Sequence, residues 1–310
     1  MRIAVIDDYE HAALTSADWT GLDVHVVHEH LPHERLLEHI GDAECLVVMR
    51  QRSEITASLI SQMPRLRLIV TASNRNASID LAACAERGIV VCGTRYGPPS
   101  AAELTWALIL CASRHILESA IGLREGRWVQ SVPGRDLGGL TLGLVGYGLL
   151  GQKVATYAQA FDMTVLAWSP NLTDERIGSD PVRRATREEV FAESDFISVQ
   201  LVLSERTARL INAADFARMR PDAWFVNTSR AGLVDADALY DALVRKQIAG
   251  AALDVFDKEP LPADDRLLAL PNVLATPHIG YVTTETFQTW YRDIVEAIHA
   301  YQQGAPIRQL

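Results

Sequence analysis

Three side chains able to do proton and carbonyl chemistry stand just past apolar runs in the C-terminal half of the chain. Arg230 ends Phe225-Val226-Asn227-Thr228-Ser229-Arg230, Glu259 lies in Asp254-Val255-Phe256-Asp257-Lys258-Glu259-Pro260, and His278 lies in Ala275-Thr276-Pro277-His278-Ile279-Gly280. If the runs are strands of one parallel sheet, their C-terminal ends meet at one crevice and the three side chains converge there. Reduction of a ketone develops an alkoxide that needs a proton donor. Histidine titrates near neutrality, and a neighbouring carboxylate holds its imidazolium in place. The planar guanidinium fork pairs with a carboxylate and polarises the adjacent carbonyl. Singly, each residue has a plainer reading: a solvated arginine, a Glu-Pro turn, a histidine capping a loop. Their joint placement after a nucleotide motif gives them weight.

That motif is Thr141-Leu142-Gly143-Leu144-Val145-Gly146-Tyr147-Gly148-Leu149-Leu150-Gly151, a G-x-G-x-x-G pattern with an apolar strand before it and a helical pattern after it. A second strand, Met163–Trp168, closes a unit of about 30 residues. In such a unit the first glycine makes the tight turn, the second lets the backbone approach a pyrophosphate, and the third lets helix and strand pack closely. Free N–H groups at the helix N-terminus then face the phosphates, so Gly146, Tyr147, Gly148, Leu149, Leu150 and Gly151 form the candidate dinucleotide loop. An acid usually grips the ribose hydroxyls at the tip of the second strand. Here Ala167-Trp168-Ser169-Pro170-Asn171 puts Ser169 at that place. Ser169 and Asn171 can bond either a hydroxyl or a phosphate oxygen. The cofactor is therefore NAD or NADP, and the absence of an arginine immediately after the tip favours NAD.

Taken together, Asn227–Arg230, Ala252–Pro260, Thr276–Gly280, the Leu140–Gly151 loop and Ile79–Val91 resemble the D-isomer-specific 2-hydroxyacid dehydrogenase family over essentially the whole chain. The resemblance implies an enzyme interconverting a 2-keto acid and a D-2-hydroxy acid with a nicotinamide dinucleotide. It makes His278 the acid/base, Glu259 its partner and Arg230 the substrate anchor. Asp254 would face the nicotinamide, with Thr228, Ser229 and Gly280 along the cofactor. It also implies an α/β fold of two Rossmann-like, doubly wound parallel-sheet domains. Residues 1–97 plus 285–310 would form a substrate-binding domain around an inserted dinucleotide-binding domain of residues 98–284. A homodimer built largely from the helix after Gly97-Pro98-Pro99 is implied as well. The family's glycine-rich substrate loop is replaced here by Thr71-Ala72-Ser73-Asn74-Arg75-Asn76-Ala77-Ser78-Ile79-Asp80. Asn74 and Arg75 become substrate-binding candidates, with Arg50 and Arg52 after the preceding strand. A second cation would suit a dianion such as a phosphohydroxy acid. The alternative is a cofactor-sensing binding protein resembling the family's corepressors, with little turnover; the intact Arg–Glu–His set favours the enzyme.

The elements that must position these residues are also legible. Short apolar runs at Ile3–Ile6, Val24–Val27, Cys45–Met49, Leu68–Thr71 and Ile89–Val91 read as strands of a first parallel sheet. Thr141–Val145, Met163–Trp168, Phe196–Leu201, Ala223–Asn227, Ile248–Asp254 and Val273–Thr276 read as strands of a second. Asp80 and Gly88 bracket a short helix, a long apolar helix runs from Ser100 to Glu118, and a final helix spans Thr283 to Gln303. At 310 residues the chain is long enough for two domains. Its 39 acidic against 29 basic side chains argue against nucleic acid as partner. No apolar run reaches the ~20 residues of a membrane span. Four scattered cysteines suggest neither a disulfide framework nor a zinc site, and a cytoplasmic protein is expected. His25, His28, His30 and His33 are clustered but lack metal-ligand spacing, so no metal is expected. No G-x-S-x-G elbow or phosphate-loop lysine is present.

Overall fold

The computed structural model describes residues 1–128 and 133–310. They divide into two compact units, Met1–Pro98 with Val282–Leu310, and Pro99–Tyr281. In the first unit β1 (Arg2–Ile6), β2 (Asp23–Val26), β3 (Cys45–Val48), β4 (Leu68–Thr71) and β5 (Val90–Cys92) form a sheet of order β2-β1-β3-β4-β5. All its pairs are parallel. The inner strands β3 and β4 are apolar and buried throughout, whereas the edge strand β2 alternates in exposure, as Asp23-Val24-His25-Val26 requires. Asp80 Oδ1 accepts the Ala83 N–H at 2.9 Å to start the helix Leu81–Glu86, and Gly88, with φ +66°, follows its end.

The helix Thr284–Gln302 belongs to this first unit, a placement that its period alone does not decide. Phe287, Trp290, Ile294, Val295 and Ile298 are all buried on it. Tyr291 and Asp293 on the same helix are fully buried, and each is answered by a polar partner. The Tyr291 hydroxyl donates to Asp8 at 3.2 Å, and Asp293 accepts the Arg95 N–H at 2.8 Å and its guanidinium at 2.5 Å. The clustered histidines are dispersed among separate partners: His28 faces Asp8, His30 faces Asp7, His33 meets Gln62 and His25 stacks on His39.

In the second unit β6 (Thr141–Val145), β7 (Thr164–Trp168), β8 (Arg183–Arg184), β9 (Phe196–Val199), β10 (Trp224–Asn227), β11 (Gly250–Leu253) and β12 (Val273–Ala275) form a parallel sheet. Its order is β12-β11-β10-β9-β6-β7-β8. The order reverses between β6 and β9, and such a reversal opens a crevice at the C-terminal strand ends. The two-residue strand β8 has no apolar run to announce it; it is a short, charged edge, which blunts further pairing. The single helix expected from Ser100 to Glu118 is in fact two, Ser100–Arg114 and Ile116–Arg124, bent by 67°. His115 between them adopts the left-handed conformation (φ 50°), which turns the chain off the first axis although the apolar composition continues. Ile116, Leu117, Ile121 and Leu123 of the second helix are exposed. Among the described residues no single helix is long and apolar enough to cross a membrane.

The Asp293 anchor has a measurable consequence. Burial pushes its carboxyl up, but the bonds from the Arg95 side chain and backbone outweigh this and hold it below the ordinary value of 3.8. Its contribution is present above that value and is lost as pH falls through the lower folded one. Asp293→Ala should cost about 1–2 kcal/mol of stability in urea at pH 7, the net worth of hydrogen bonds to an ion shared with an exposed partner. The variant and wild-type midpoints should converge below about pH 3.8; a gap that is the same at pH 7 and pH 3 would contradict this account.

Candidate active site

The glycine loop, Ser169, Arg230, Glu259 and His278 all lie beyond C-terminal strand ends of the second unit. Gly146–Gly151 follows β6, Ser169 follows β7, Gln200 follows β9, and Asn227 ends β10; Asp254 and Thr276 directly follow β11 and β12. Parallel pairing sets Asn227 beside Leu253 and Leu253 beside Ala275, so the last three motifs leave the sheet side by side.

Packing requires two of the loop glycines. Gly146 has φ +114°, and a Cβ there would lie 2.4 Å from the Gln200 carbonyl oxygen; a Cβ on Gly151 would lie 2.4 Å from the carbonyl oxygen of Gly146. Gly148 is different, because nothing lies within 4 Å of where its Cβ would project. That open side gives a pyrophosphate room to approach the backbone. The helix Leu149–Ala160 starts there with no side-chain cap and no acid in its first turn. Its first N–H groups and the positive end of its dipole are thus available to an anion. The residues present fit a dinucleotide. Tyr147 turns its ring inward and donates its hydroxyl to Asp180 at 2.6 Å; burial and then Asp180 push the phenol well above its usual range. Only its backbone remains for a phosphate, while Leu149 is exposed and Leu150 half-buried.

Ser169 is half-buried at the tip of β7, and Asn171 is exposed. The arginines around this strand end are already engaged. Arg187 lies over the Trp168 ring and donates to both Asp215 oxygens at 2.8 and 2.6 Å, and Arg184 donates to Asp174 at 2.7 Å.

Asn227, 2% exposed, builds the turn that delivers Arg230. Its Oδ1 accepts the Ser229 N–H and its Nδ2 donates to the Arg230 carbonyl, both at 3.0 Å, while Ser229 Oγ donates to the Val199 carbonyl at 2.8 Å. Thr228 and Thr105 share a hydroxyl hydrogen bond of 2.6 Å, and Gln200 Nε2 donates to Thr105 at 3.3 Å. Arg230 Nη1 donates to the Ser229 carbonyl at 2.6 Å. Burial draws the Arg230 pKa down, while Glu259 and Tyr281 act to raise it.

Glu259 and His278 meet directly: Oε2 lies 2.6 Å from Nδ1, and Oε1 accepts the Phe256 N–H at 2.9 Å. Burial pushes the Glu259 carboxyl up, but His278, the Phe256 N–H and Arg230 together hold it below its usual range. An ionised Glu259 puts the proton on Nδ1 and leaves Nε2 as the nitrogen free for a reacting atom. Asp254, fully buried, holds the loop on both sides of that histidine. Its Oδ1 accepts the Thr276 hydroxyl at 2.6 Å and the Ile279 N–H at 2.8 Å, and its Oδ2 accepts the Gly280 N–H at 2.8 Å. Burial raises the Asp254 carboxyl despite these bonds. His278 itself has φ +53°, a left-handed conformation uncommon outside glycine. A Cβ on Gly280 would lie 3.1 Å from Asp254 Oδ2, a tight contact that glycine avoids.

Sequence reasoning missed the roles of Asn227, Gln200 and Thr105. An asparagine at a strand end before a turn is a recognisable Asx signal. Thr105, inside an apolar helix, carries no signal. In the first unit Asn74 is half-buried and Arg75 exposed, and among the described residues no carboxylate pairs with Arg75. Arg52, by contrast, is bound by both Glu10 oxygens at 2.9 and 2.6 Å, and Arg50 lies over the Trp290 ring at 5.3 Å.

Residues 106–280 match the family model described as D-isomer specific 2-hydroxyacid dehydrogenase, NAD binding domain. The chain is 38% identical over 281 residues to a hydroxypyruvate reductase of Thermotoga maritima, covering 89% of this chain and 90% of that one. It is 37% identical over 267 residues to the D-3-phosphoglycerate dehydrogenase of Homo sapiens, covering 86% of this chain but 50% of that relative. The chain thus spans about half the length of that longer enzyme. The crystal structure of a phosphoglycerate oxidoreductase from Vibrio cholerae superposes with a TM-score of 0.94 at 35% identity, over 98% of this chain and 100% of that one. The chain therefore belongs to the D-isomer-specific 2-hydroxyacid dehydrogenase family, and is an oxidoreductase acting on a CH–OH group with a nicotinamide dinucleotide.

Proposed function

We propose that the protein interconverts a 2-keto acid and a D-2-hydroxy acid, with Arg230, Glu259 and His278 as its catalytic residues and NAD as its preferred cofactor. The observation that carries this reading is the 2.6 Å pairing of His278 Nδ1 with a carboxylate held ionised beside Arg230. The nicotinamide, when bound, supplies or accepts the hydride. Arg230 takes the substrate carboxylate in its fork and draws electron density from the keto oxygen. His278 gives its Nε2 proton to the oxygen as negative charge develops there, and Glu259 stabilises the imidazolium before that transfer. In the opposite direction His278 removes the hydroxyl proton. Gly146–Gly151, Ser169, Thr228, Ser229, Asp254 and Gly280 are the residues we assign to the cofactor. Arg187 is held by both oxygens of the buried Asp215 and so offers no free charge to a 2′-phosphate, which supports NAD.

With a panel of 2-keto acids and reduced cofactor, turnover should be found, and His278→Ala or Arg230→Ala should lower kcat/KM by roughly 10²-fold or more. No turnover across the panel with either nicotinamide, or variants as active as wild type, would overturn this reading. Fluorescence titration should give NAD the higher affinity, by less than about 100-fold, or 2.7 kcal/mol. Ser169→Asp should widen the gap by repelling the 2′-phosphate. Tighter binding of NADP would sink the cofactor assignment.

We base the substrate class on Arg75 together with Asn74. An exposed cation that no carboxylate pairs with among the described residues supports a substrate with a second negative group, a phosphohydroxy acid or keto diacid, over a small apolar keto acid. Arg75→Ala should reduce kcat/KM for a dianionic substrate by the equivalent of about 2–4 kcal/mol and leave a monoanion such as pyruvate nearly unchanged. An equal effect on both would make Arg75 an ordinary surface charge.

A further inference from the structure

His278 is held at Nδ1 by Glu259 and along its backbone by the Asp254 clamp, but an imidazole can still tilt about the bond to its ring. A third restraint comes from the residue that follows the clamp. Tyr281 is attached to Gly280, whose N–H is fixed on Asp254 Oδ2, so the clamp that places His278 also places Tyr281. The phenol ring is buried, 8% exposed, and meets the His278 ring edge to face, with centroids 5.5 Å apart and planes at 73°. That is a favoured geometry for two aromatic rings, because the positive edge of one points at the negative face of the other.

We infer that Tyr281 is a positioning residue for this reaction: its ring restrains the His278 imidazole. The ring acts on proton transfer, which is read in kcat. The inference rests on the assignment of Arg230 and His278 proposed above.

Two substitutions test this role. Tyr281→Leu removes the aromatic edge and should lower kcat by about tenfold, with a shift in the pH dependence of kcat/KM, since the imidazole no longer has a fixed environment. Tyr281→Phe restores the ring and should return kcat and KM to within about twofold of wild type. Cofactor affinity, titrated by fluorescence in the same variants, should not move. Wild-type kcat, KM and pH profile in Tyr281→Leu would overturn the inference. So would equal losses in Leu and Phe variants accompanied by a common fall in Tm, which would mark a purely structural residue. Measured alongside, His278→Ala and Arg230→Ala distinguish the two failures. If they abolish turnover while the Tyr281 variants behave as wild type, only the role of Tyr281 falls; if they too are fully active, the catalytic assignment beneath it falls.

Discussion

The site depends on one buried carboxylate. Asp254 leaves β11 fully enclosed, where an ion without partners would be strongly disfavoured. It is satisfied by a hydroxyl and two N–H groups, all from the loop after β12. These bonds do more than solvate the charge. Thr276 lies before His278 and Ile279 and Gly280 lie after it, so the bonds close around that residue and hold its backbone in the left-handed region. Such a conformation persists only where the surroundings over-determine it. With the backbone held, the imidazole stands at Glu259, and the Glu259 carboxylate is fixed in turn by the Phe256 N–H on the loop from β11. The acid/base pair is therefore a consequence of how two neighbouring strand ends satisfy one desolvated charge.

The nucleotide side of the same crevice rests on a different constraint, the closeness of backbones. Gly146 and Gly151 allow the loop after β6, the end of β9 and the first turn of the helix Leu149–Ala160 to approach within distances that no side chain permits. Directly beneath, Thr105, Thr228, Gln200 and Ser198 form a chain of hydrogen bonds among buried or half-buried side chains. It ties the helix Ser100–Arg114 to the ends of β9 and β10. Buried polar groups of this kind are costly unless every member is paired, and paired they specify one arrangement. The cofactor loop and the Arg230 turn are thereby braced against common neighbours, Gln200 and the end of β9.

In the first unit the equivalent strand ends carry charge. Asp8 accepts the N–H groups of Ala12 and Ala13 and the hydroxyl of Tyr291, and its position holds the returning helix in register with β1. Asp293 performs the same office from that helix toward the segment after β5. The discontinuous unit is thus joined by apolar burial along one helix face and fixed by two buried acids, each paired across a long stretch of chain.

Much of this was legible in the residues. The apolar runs, the Asp80 cap, the Gly88 stop and the G-x-G-x-x-G spacing obey local rules, because propensity, capping and backbone sterics act between near neighbours in the chain. The types of Arg230, Glu259 and His278 likewise announce their chemistry. What depends on distant partners was not legible. Nothing in Asp254 says that it binds the loop around His278, for its partners lie more than 20 residues further on and meet it only once β11 and β12 pair. Thr105 reads as one more residue of an apolar helix until the sheet brings Thr228 beside it. The turn at His115 interrupts a composition that would continue a helix, and β8 consists of two arginines with no apolar signal. The sequence by itself determined the period, the punctuation and the reactive groups, since these are properties of short stretches. Which carboxylate meets which cation, and which backbone is held against its preference, was decided by tertiary structure, because a hydrogen bond exists only between atoms that the whole sheet order has brought within 3 Å or so of each other.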